Sequence, residues 1–125
     1  MGDVMDRYYL NRFKLRELYK INDSNSENLI AEIKSLKSTE MSIDQININI
    51  SKFVIEITLI NGANYEVVKR VSDYVLNCLK NFAVNNIDRL GLSMSDKDYF
   101  LDQINKSANS ICDFSMVSNN IMFIL

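Results

Sequence analysis

The sequence contains no histidine, the side chain most often used for proton transfer near neutral pH. A Ser-His-Asp triad and a Cys-His pair are therefore excluded. Histidine is also the commonest metal ligand. A zinc site would need carboxylates together with Cys78 and Cys112, which lie 34 positions apart and lack the usual close ligand spacing. We expect no catalytic residues, no metal and no cofactor.

Proline is absent, and glycine and cysteine occur only three times and twice. With no proline or low-complexity linker to divide its 125 residues, the chain is expected to form a single compact domain over 1–125. Three glycines are too few for a loop that cradles phosphates. Two cysteines are too few for a disulfide scaffold. Both stand in apolar helical patterns, where free cysteine acts as a small buried hydrophobe, and this usage favours a reducing compartment.

Long apolar stretches and a strong charge of one sign are also missing. No stretch approaches the roughly 18 apolar residues that a spanning helix needs, and Asp3, Asp6 and Arg7 interrupt any signal-peptide pattern. We expect no transmembrane segment and a cytoplasmic location, or the host cytosol if the protein is viral. The net charge of −2 does not indicate a basic face for nucleic acid. The mixture of Asn, Ile, Ser and Lys is typical of AT-rich viral or mobile-element genes.

The clearest pattern that is present runs over 43–90, where an extended apolar segment leads into an amphipathic helix. The apolar residues of the extended part are Ile46, Ile48, Ile50, Phe53, Ile55, Ile57 and Leu59. They stand at even positions before Ser51-Lys52 and at odd positions after it. Because a slip of one residue reverses the faces of a strand, Ser51-Lys52 marks either a bulge in one strand or a turn between two. We favour a bulge or a longer irregular turn, since a two-residue hairpin usually needs Asn or Gly.

Asn61-Gly62 is a strong hairpin signal, but the pairing that it implies is poor. It would place the apolar residues of 53–59 opposite a mostly polar row in 64–70, which is unfavourable across strands. Helical spacing from Tyr65 onward instead produces one broad apolar face. Asn64 is suitably placed to cap this helix. We therefore predict a joint between a strand and a helix at Asn61-Gly62.

Three further signals mark where helices begin and end. Ser24 with Glu27 forms a capping-box pattern, and Ser93 with Asp96 starts another helix. Gly91 suits the left-handed position just after a helix. The long helix is expected to continue to Leu90, with a local adjustment near residues 85–86.

The expected fold class is α+β. A small antiparallel sheet, with strands near 43–50, 53–60 and 121–125, packs against helices over 3–20, 26–37, 64–90 and 95–114. A mostly helical fold with one hairpin is the alternative.

Aromatic and basic side chains alternate in the N-terminal helix, and the C-terminal residues 121–125 are uncharged and apolar. The candidate interaction surface consists of Tyr8, Tyr9, Arg12, Phe13, Arg16, Tyr19, Phe123 and Leu125. Such a helix can pack into the core or against a dimer mate. Two alternatives are that it holds phosphates and stacks bases of a nucleic acid, or that it lies on an anionic membrane.

The supply of apolar residues exceeds what a small domain is expected to cover. The extended run is apolar at both even and odd positions, whereas an antiparallel sheet usually has one polar face. A large exposed apolar patch marks a protein interface, although burial within the domain remains an alternative. We predict a non-catalytic protein–protein interaction module that acts as a homodimer: an adaptor, a secretion-type chaperone or an inhibitor of another protein. A nucleic-acid-associated protein that uses the N-terminal helix is the alternative function.

An enzyme without histidine is the third hypothesis. Asp96, Asp98 and Asp102 are the densest carboxylates, and Asp98 and Asp102 share one helical face. Carboxylates near a helix start usually stay solvated and stabilise the helix. Catalysis would require their burial or close like charge, and we predict no pocket around Asp98 and Asp102.

Overall fold

A computed structural model describes residues 4–21, 23–61 and 64–125, with side chains from residue 12 onward. It has the α+β fold that the sequence predicts. The helices are α1 (Val4–Lys20), α2 (Ser24–Lys34), α3 (Leu36–Thr39), α4 (Tyr65–Asn86) and α5 (Met94–Lys106). The strands are β1 (Ile43–Asn49), β2 (Val54–Leu59), β3 (Asp113–Val117) and β4 (Asn120–Ile124). Short 3-10 turns cover Ile50–Lys52, Ile87–Leu90 and Ala108–Ser110.

The four strands form one antiparallel sheet in the order β1-β2-β4-β3. Ile55 and Ile57 of β2 lie opposite Phe123 and Ile121 of β4, and all four side chains are fully buried. They belong to one core cluster with the apolar faces of the helices. The strands β1 and β3 are the two edges of the sheet.

A 3-10 turn over Ile50–Lys52 joins β1 to β2, so the longer irregular turn is the correct interpretation of Ser51-Lys52. Even residues of β1 then face odd residues of β2, as Ile46 does Ile57. The two apolar parities therefore lie on the same face of the sheet. The expectation of apolar residues on both faces is wrong. The turn over Ile50–Lys52 moves the apolar residues from even to odd positions, but they stay on the same face of the sheet.

The opposite face of the sheet is largely polar. Thr58 donates a hydrogen bond to Asn120 at 3.1 Å, and Asn120 donates one to Glu56. Asn47 continues this row on β1, where it lies opposite Glu56. One apolar and one polar face is the usual arrangement for an antiparallel sheet with helices on one side.

The predicted joint between β2 and α4 is confirmed. The side-chain oxygen of Asn64 accepts a hydrogen bond from the backbone N–H of Val67 at 3.1 Å, which caps α4. Gly62 lies outside the described residues. The long helix changes to a 3-10 turn after Asn86, as expected near residues 85–86, and Gly91 follows with a left-handed φ of +64°.

The predicted start of α2 is wrong in detail, because Asp23 caps this helix. The Asp23 carboxylate accepts hydrogen bonds from the backbone N–H groups of Asn25 at 3.1 Å and Ser26 at 3.2 Å. Its backbone is extended, whereas Ser24 is already helical. Ser24 and Glu27 therefore lie one position too far along the chain to form the capping box. At Ser93 the prediction is confirmed, since its hydroxyl accepts from the Asp96 N–H at 3.3 Å.

The predicted helix over 95–114 is wrong at its C-terminal end, because α5 stops at Lys106. Ser107 takes an extended backbone, and the single hydroxyl hydrogen of Ser110 is shared between the carbonyl oxygens of Gln103 (2.8 Å) and Ser107 (2.6 Å). Serine and asparagine side chains compete for main-chain hydrogen bonds and favour turns over continued helix. The apolar spacing of this segment had suggested an uninterrupted helix.

Residues Asp113–Val117 instead form β3, a strand absent from the predicted sheet. It pairs with β4 through a two-residue connection at Ser118 and Asn119, and Ser118 has a left-handed φ of +57°. Cys112 consequently lies in the connection before β3 and not on a helix. The C-terminal strand is thus flanked on both sides, by β2 and by β3.

Candidate functional site

The structure gathers part of the predicted surface where α1 meets the ends of β3 and β4. Arg12, Phe13 and Arg16 of α1 line a groove of about 210 Å³ together with Asp113 and Ile124. We call it the α1–β3 groove. The side chains of the remaining candidates on α1 before residue 12, Tyr8 and Tyr9, lie outside the described residues.

Arg12 holds α1 against the edge of the sheet. Its side chain is buried and forms an ion pair with Asp113 at 3.0 Å, and it donates a hydrogen bond to the main-chain oxygen of Ile124 at 2.8 Å. Its Nε atom has no hydrogen-bond partner within the described part of the chain. Because burying a guanidinium is costly unless it is paired, these contacts fix the start of β3 and the end of β4 relative to α1. Arg12 is therefore a structural side chain of the groove.

Arg16 continues the same connection toward the turn between β1 and β2. Its Nε donates to the main-chain oxygen of Leu125 at 2.9 Å, and its guanidinium lies 4.9 Å from the centre of the Phe53 ring. Phe53 has a left-handed φ of +59°, which is unusual for a bulky side chain. Its carbonyl oxygen accepts from the Leu125 N–H at 2.8 Å. Cation–π stacking and this hydrogen bond stabilise the strained residue.

Among the aromatic residues of α1 whose side chains the structure describes, Phe13 is the one that faces solvent. Its side chain is 61% exposed, and the guanidinium of Arg16 lies 5.7 Å from its ring centre. A large exposed aromatic beside a partly engaged arginine is a common composition for the centre of a protein interface.

Three other predicted surface residues belong to the core. Tyr19, Phe123 and Leu125 are almost fully buried, and the Tyr19 ring stacks on Phe82 at 5.4 Å. Burial raises the pKa of Tyr19 well above its usual value. Because they are buried, these residues cannot contact a partner in this fold and are not part of an interaction surface. Tyr19 shares one helical stripe with Leu15 and Leu18, and that spacing is the signal that indicates burial.

The edge strand β3 is a candidate surface that the sequence analysis missed. All five of its residues are exposed. Phe114 is 45% exposed, Met116 39% and Val117 74%, and the adjoining Ile124 of β4 is 38% exposed. Turn-forming residues at 118–120 between two apolar segments were the available signal for a hairpin. The helical interpretation of 95–114 concealed it.

A second groove, of about 180 Å³, lies between α2 and α4. Its lining is rich in asparagine and consists of Asn25, Asn28, Leu29, Glu32, Cys78, Asn81, Phe82, Asn85 and Asn86. The Cys78 thiol donates to the Glu32 carboxylate at 3.3 Å. Burial, followed by this hydrogen bond, raises the pKa of Cys78 to about 12. The thiol therefore remains protonated at neutral pH and is not an activated nucleophile.

The next titratable groups are Cys112 and the two carboxylates considered for an enzyme, Asp98 and Asp102. Burial raises the pKa of Cys112 to about 12. Asp98 and Asp102 are both exposed, and Asp102 pairs with Lys106 at 3.1 Å. Among residues 12–21, 23–61 and 64–125, no group of three or more Cys, Asp or Glu is arranged to hold a metal ion.

Within the described helices, none has both the length and the apolar character needed to cross a bilayer. Comparison with protein-family models, with curated proteins and with solved structures finds no match to this chain.

Proposed function

We propose that the protein is a non-catalytic protein-binding module that acts as a homodimer, in the role of an adaptor, a secretion-type chaperone or an inhibitor of another protein. The observation that carries this proposal is the concentration of exposed apolar side chains on one hairpin at the sheet edge, with Phe114 and Met116 on the helix side of the sheet and Val117 and Ile124 on the other face. Ten large apolar residues in the described part of the chain are at least 38% exposed, and four of them lie in the short β3–β4 hairpin. Clustered apolar exposure marks a protein interface, whereas single exposed residues do not.

The position of the cluster supports the same function. Phe114, Met116 and Val117 lie on a sheet edge, and Phe13 and Ile124 line the α1–β3 groove that begins beside it. A partner at this place can use both main-chain hydrogen bonds and apolar contacts, as in strand addition. The ion pair and hydrogen bond of Arg12 hold the two parts in one geometry.

Site-specific photocrosslinking tests this proposal. A benzophenone amino acid at Phe114 is expected to give discrete protein adducts in cells of the native source, because the ring faces the proposed interface. The matched control is Met41, which is 91% exposed but lies outside the cluster. Adduct masses separate a second copy of this chain from a different protein. If positions 114 and 41 give the same adducts, or if neither gives any, the proposal fails.

A nucleic-acid-associated protein remains the second candidate, and the observation in its favour is the basic helix α1. Arg12 and Arg16 are already engaged by Asp113, Ile124 and Leu125, which leaves less free charge for phosphates. A gel-shift titration with short DNA and RNA at low and moderate salt decides between the candidates. Binding that weakens steeply with salt supports the second candidate, and no shift at low salt removes it.

A further inference from the structure

The geometry points to a second copy of this chain as the partner of β3. Two β3 strands pair antiparallel about Ser115, so that two four-stranded sheets join into one continuous sheet. The inference rests on the homodimer in the proposed function, and it identifies the surface and the register through which the two copies meet.

The main-chain groups of β3 point alternately toward β4 and toward the free edge of the sheet. Leu59 N–H donates to the oxygen of Asn119 at 2.7 Å, and Leu125 N–H donates to that of Phe53 at 2.8 Å. Odd residues of the β4 segment therefore bond toward β2. Because successive residues in an antiparallel strand bond to opposite sides, the even residues of β4 bond toward β3.

The even residues of β4 lie opposite Asp113, Ser115 and Val117. The main-chain groups of these three residues consequently point toward β4. The N–H and C=O groups of Phe114 and Met116 point away from the sheet, to its free edge. Unpaired groups of this kind are a template for another strand.

The register of the β3–β3 pair follows from the directions of these main-chain groups. Hydrogen-bonded pairs between two copies must join residues whose main-chain groups point outward. If Phe114 of one copy lies opposite Phe114 of the other, or Met116 opposite Met116, part of each five-residue strand is left unpaired. Pairing Phe114 of one copy with Met116 of the other opposes all five residues of both strands. In that register Ser115 lies on the two-fold axis and faces its own copy.

The side chains also fit this register. Phe114 and Met116 are on the helix side of the sheet, since they lie opposite the buried Phe123 and Ile121. In the pair, each ring meets a thioether of the other copy, a favourable apolar contact. Asp113 lies opposite Val117 of the second copy, so the two carboxylates stay at opposite ends of the ladder and do not repel each other closely.

The edge carries few of the features that usually prevent strand pairing, since its one charged residue, Asp113, lies at the end of the strand and is paired with Arg12. Its sequence, Asp-Phe-Ser-Met-Val, contains no lysine or proline, and its pairing with β4 shows no register shift. Native edge strands are commonly protected by lysine, proline or bulges. All five residues of β3 are exposed, so no other described element covers the strand.

The first test compares the oligomeric state of two variants of the full chain by sedimentation equilibrium. Met116→Lys puts a lysine of the kind that protects native edge strands into the middle of each β3, where the paired ladder would bring the two ammonium groups close together, and is expected to convert dimer to monomer. The control Asn47→Lys makes the same change in charge on the opposite edge strand and is expected to leave the dimer intact. Circular dichroism and thermal melting of each variant establish that it is folded.

The second test reads the register directly, and it does not depend on Met116→Lys. In the proposed pair the two Ser115 Cα atoms are about 4.5 Å apart, within the roughly 4.4–6.8 Å that a disulfide requires. Ser115→Cys is therefore expected to form a covalent dimer under mild oxidation. Val117→Cys is the control, because its two copies lie roughly 14 Å apart along the strands.

The outcomes separate the inference from the proposed function. A dimer that Met116→Lys leaves intact, or efficient crosslinking by Val117→Cys but not Ser115→Cys, overturns the β3 pairing and keeps a homodimer. A wild-type chain that stays monomeric up to high concentration, with no Ser115→Cys crosslink, overturns both the pairing and the homodimer. Protein binding is then judged by the adducts at position 114.

Discussion

The two edges of the sheet differ in chemistry although both belong to the same four-stranded ladder. The exposed positions of β1 carry polar residues such as Asp44, Gln45 and Asn47, and its pairing with β2 has a register shift between Ile43 and Gln45. The exposed positions of β3 carry three large apolar residues on a regular strand. A polar, irregular edge resists the addition of another strand, and a regular apolar edge favours it.

Within the sheet, the surplus of exposed apolar residues is confined to one edge. The isoleucines of β1 and β2 lie on the core side of the sheet, where Ile55 and Ile57 are fully buried. Among the strand residues, the large apolar side chains that remain exposed lie at the other end of the strand order, on the hairpin of β3 and β4. An interface is therefore expected at one side of the molecule and not around the whole sheet.

The largest effect is expected when the centre of the sheet is compared with its β3 edge. Phe123→Ala should lower the free energy of unfolding by about 3–5 kcal/mol, because the ring is fully buried. Phe114→Ala, whose ring meets that of Phe123 at 5.6 Å, should cost about 1–2 kcal/mol because the ring is half exposed. Urea unfolding at one fixed protein concentration measures both. Equal losses would mean that β3 is packed as firmly as β4.

The next effect concerns the ion pair that anchors β3. Arg12→Ala should lower the free energy of unfolding by about 1–3 kcal/mol, since it leaves the Ile124 carbonyl without its donor and opens a buried space. Hydrogen exchange should become faster at the amides of β3 and stay unchanged in β1. The control is Lys106→Ala, which removes the exposed pair with Asp102 and should cost less than about 0.5 kcal/mol. Unchanged exchange in β3 would remove the anchoring role of Arg12.

A smaller contrast is expected between the two turns that precede the inner strands. Ser118 and Phe53 both have left-handed backbones. Ser118→Gly should stabilise the protein by about 0.5–1 kcal/mol, because glycine adopts this conformation without steric cost. Phe53→Gly should instead destabilise it, since the stacking of Arg16 on the ring is lost. Thermal melting of the two variants checks the opposite signs, and stabilisation by Phe53→Gly would contradict the role of the ring.

The smallest effect concerns the two buried thiols, one on α4 beside α2 and one directly before β3. Burial raises the pKa of Cys78 and Cys112 to about 12, above the value near 9 of an unfolded thiol. Their contribution to stability is therefore complete below pH 9 and is lost as the pH rises from about 9 toward 12.

At pH 8 neither thiol should react with a thiol reagent in the native state. In dilute urea Cys112, which directly precedes β3, should react before Cys78, which lies under α2, because edge strands open more readily than the core. Mass spectrometry of the labelled protein assigns the site. Earlier labelling of Cys78 would show that the helices open before the β3 edge.

Local patterns were sufficient to predict several elements of the fold. The apolar face from Tyr65 onward, the cap at Asn64 and the left-handed Gly91 depend on residues within one or two helical turns. The same is true of the alternating isoleucines of β1 and β2. The position of β3 was missed, because residues 107–114 continue an apolar spacing that also suits a helix, and this spacing outweighed the turn-forming residues at 118–120. Pairing with β4 decided in favour of a strand.

The residues of the candidate interaction surface also fall into two groups, those that lie at the groove and those that are buried in the core. Arg12, Phe13 and Arg16 were predicted together from one helix, and the structure keeps them together around the α1–β3 groove. Tyr19, Phe123 and Leu125 were assigned to a surface, yet the core covers them. Aromatic and apolar residues produce the same local sequence pattern whether they are buried in the core or exposed on the surface. Only their position relative to other elements decides their exposure.

The sequence by itself determined the fold class, the long helix with its caps, and the absence of histidine chemistry, because these follow from composition and from contacts close along the chain. Only the tertiary structure decided that the two parities of the extended run share one face, that Asp113–Val117 is a strand, and that this strand is an open apolar edge. Each of these depends on hydrogen bonds and packing between residues far apart in sequence, which no local pattern contains.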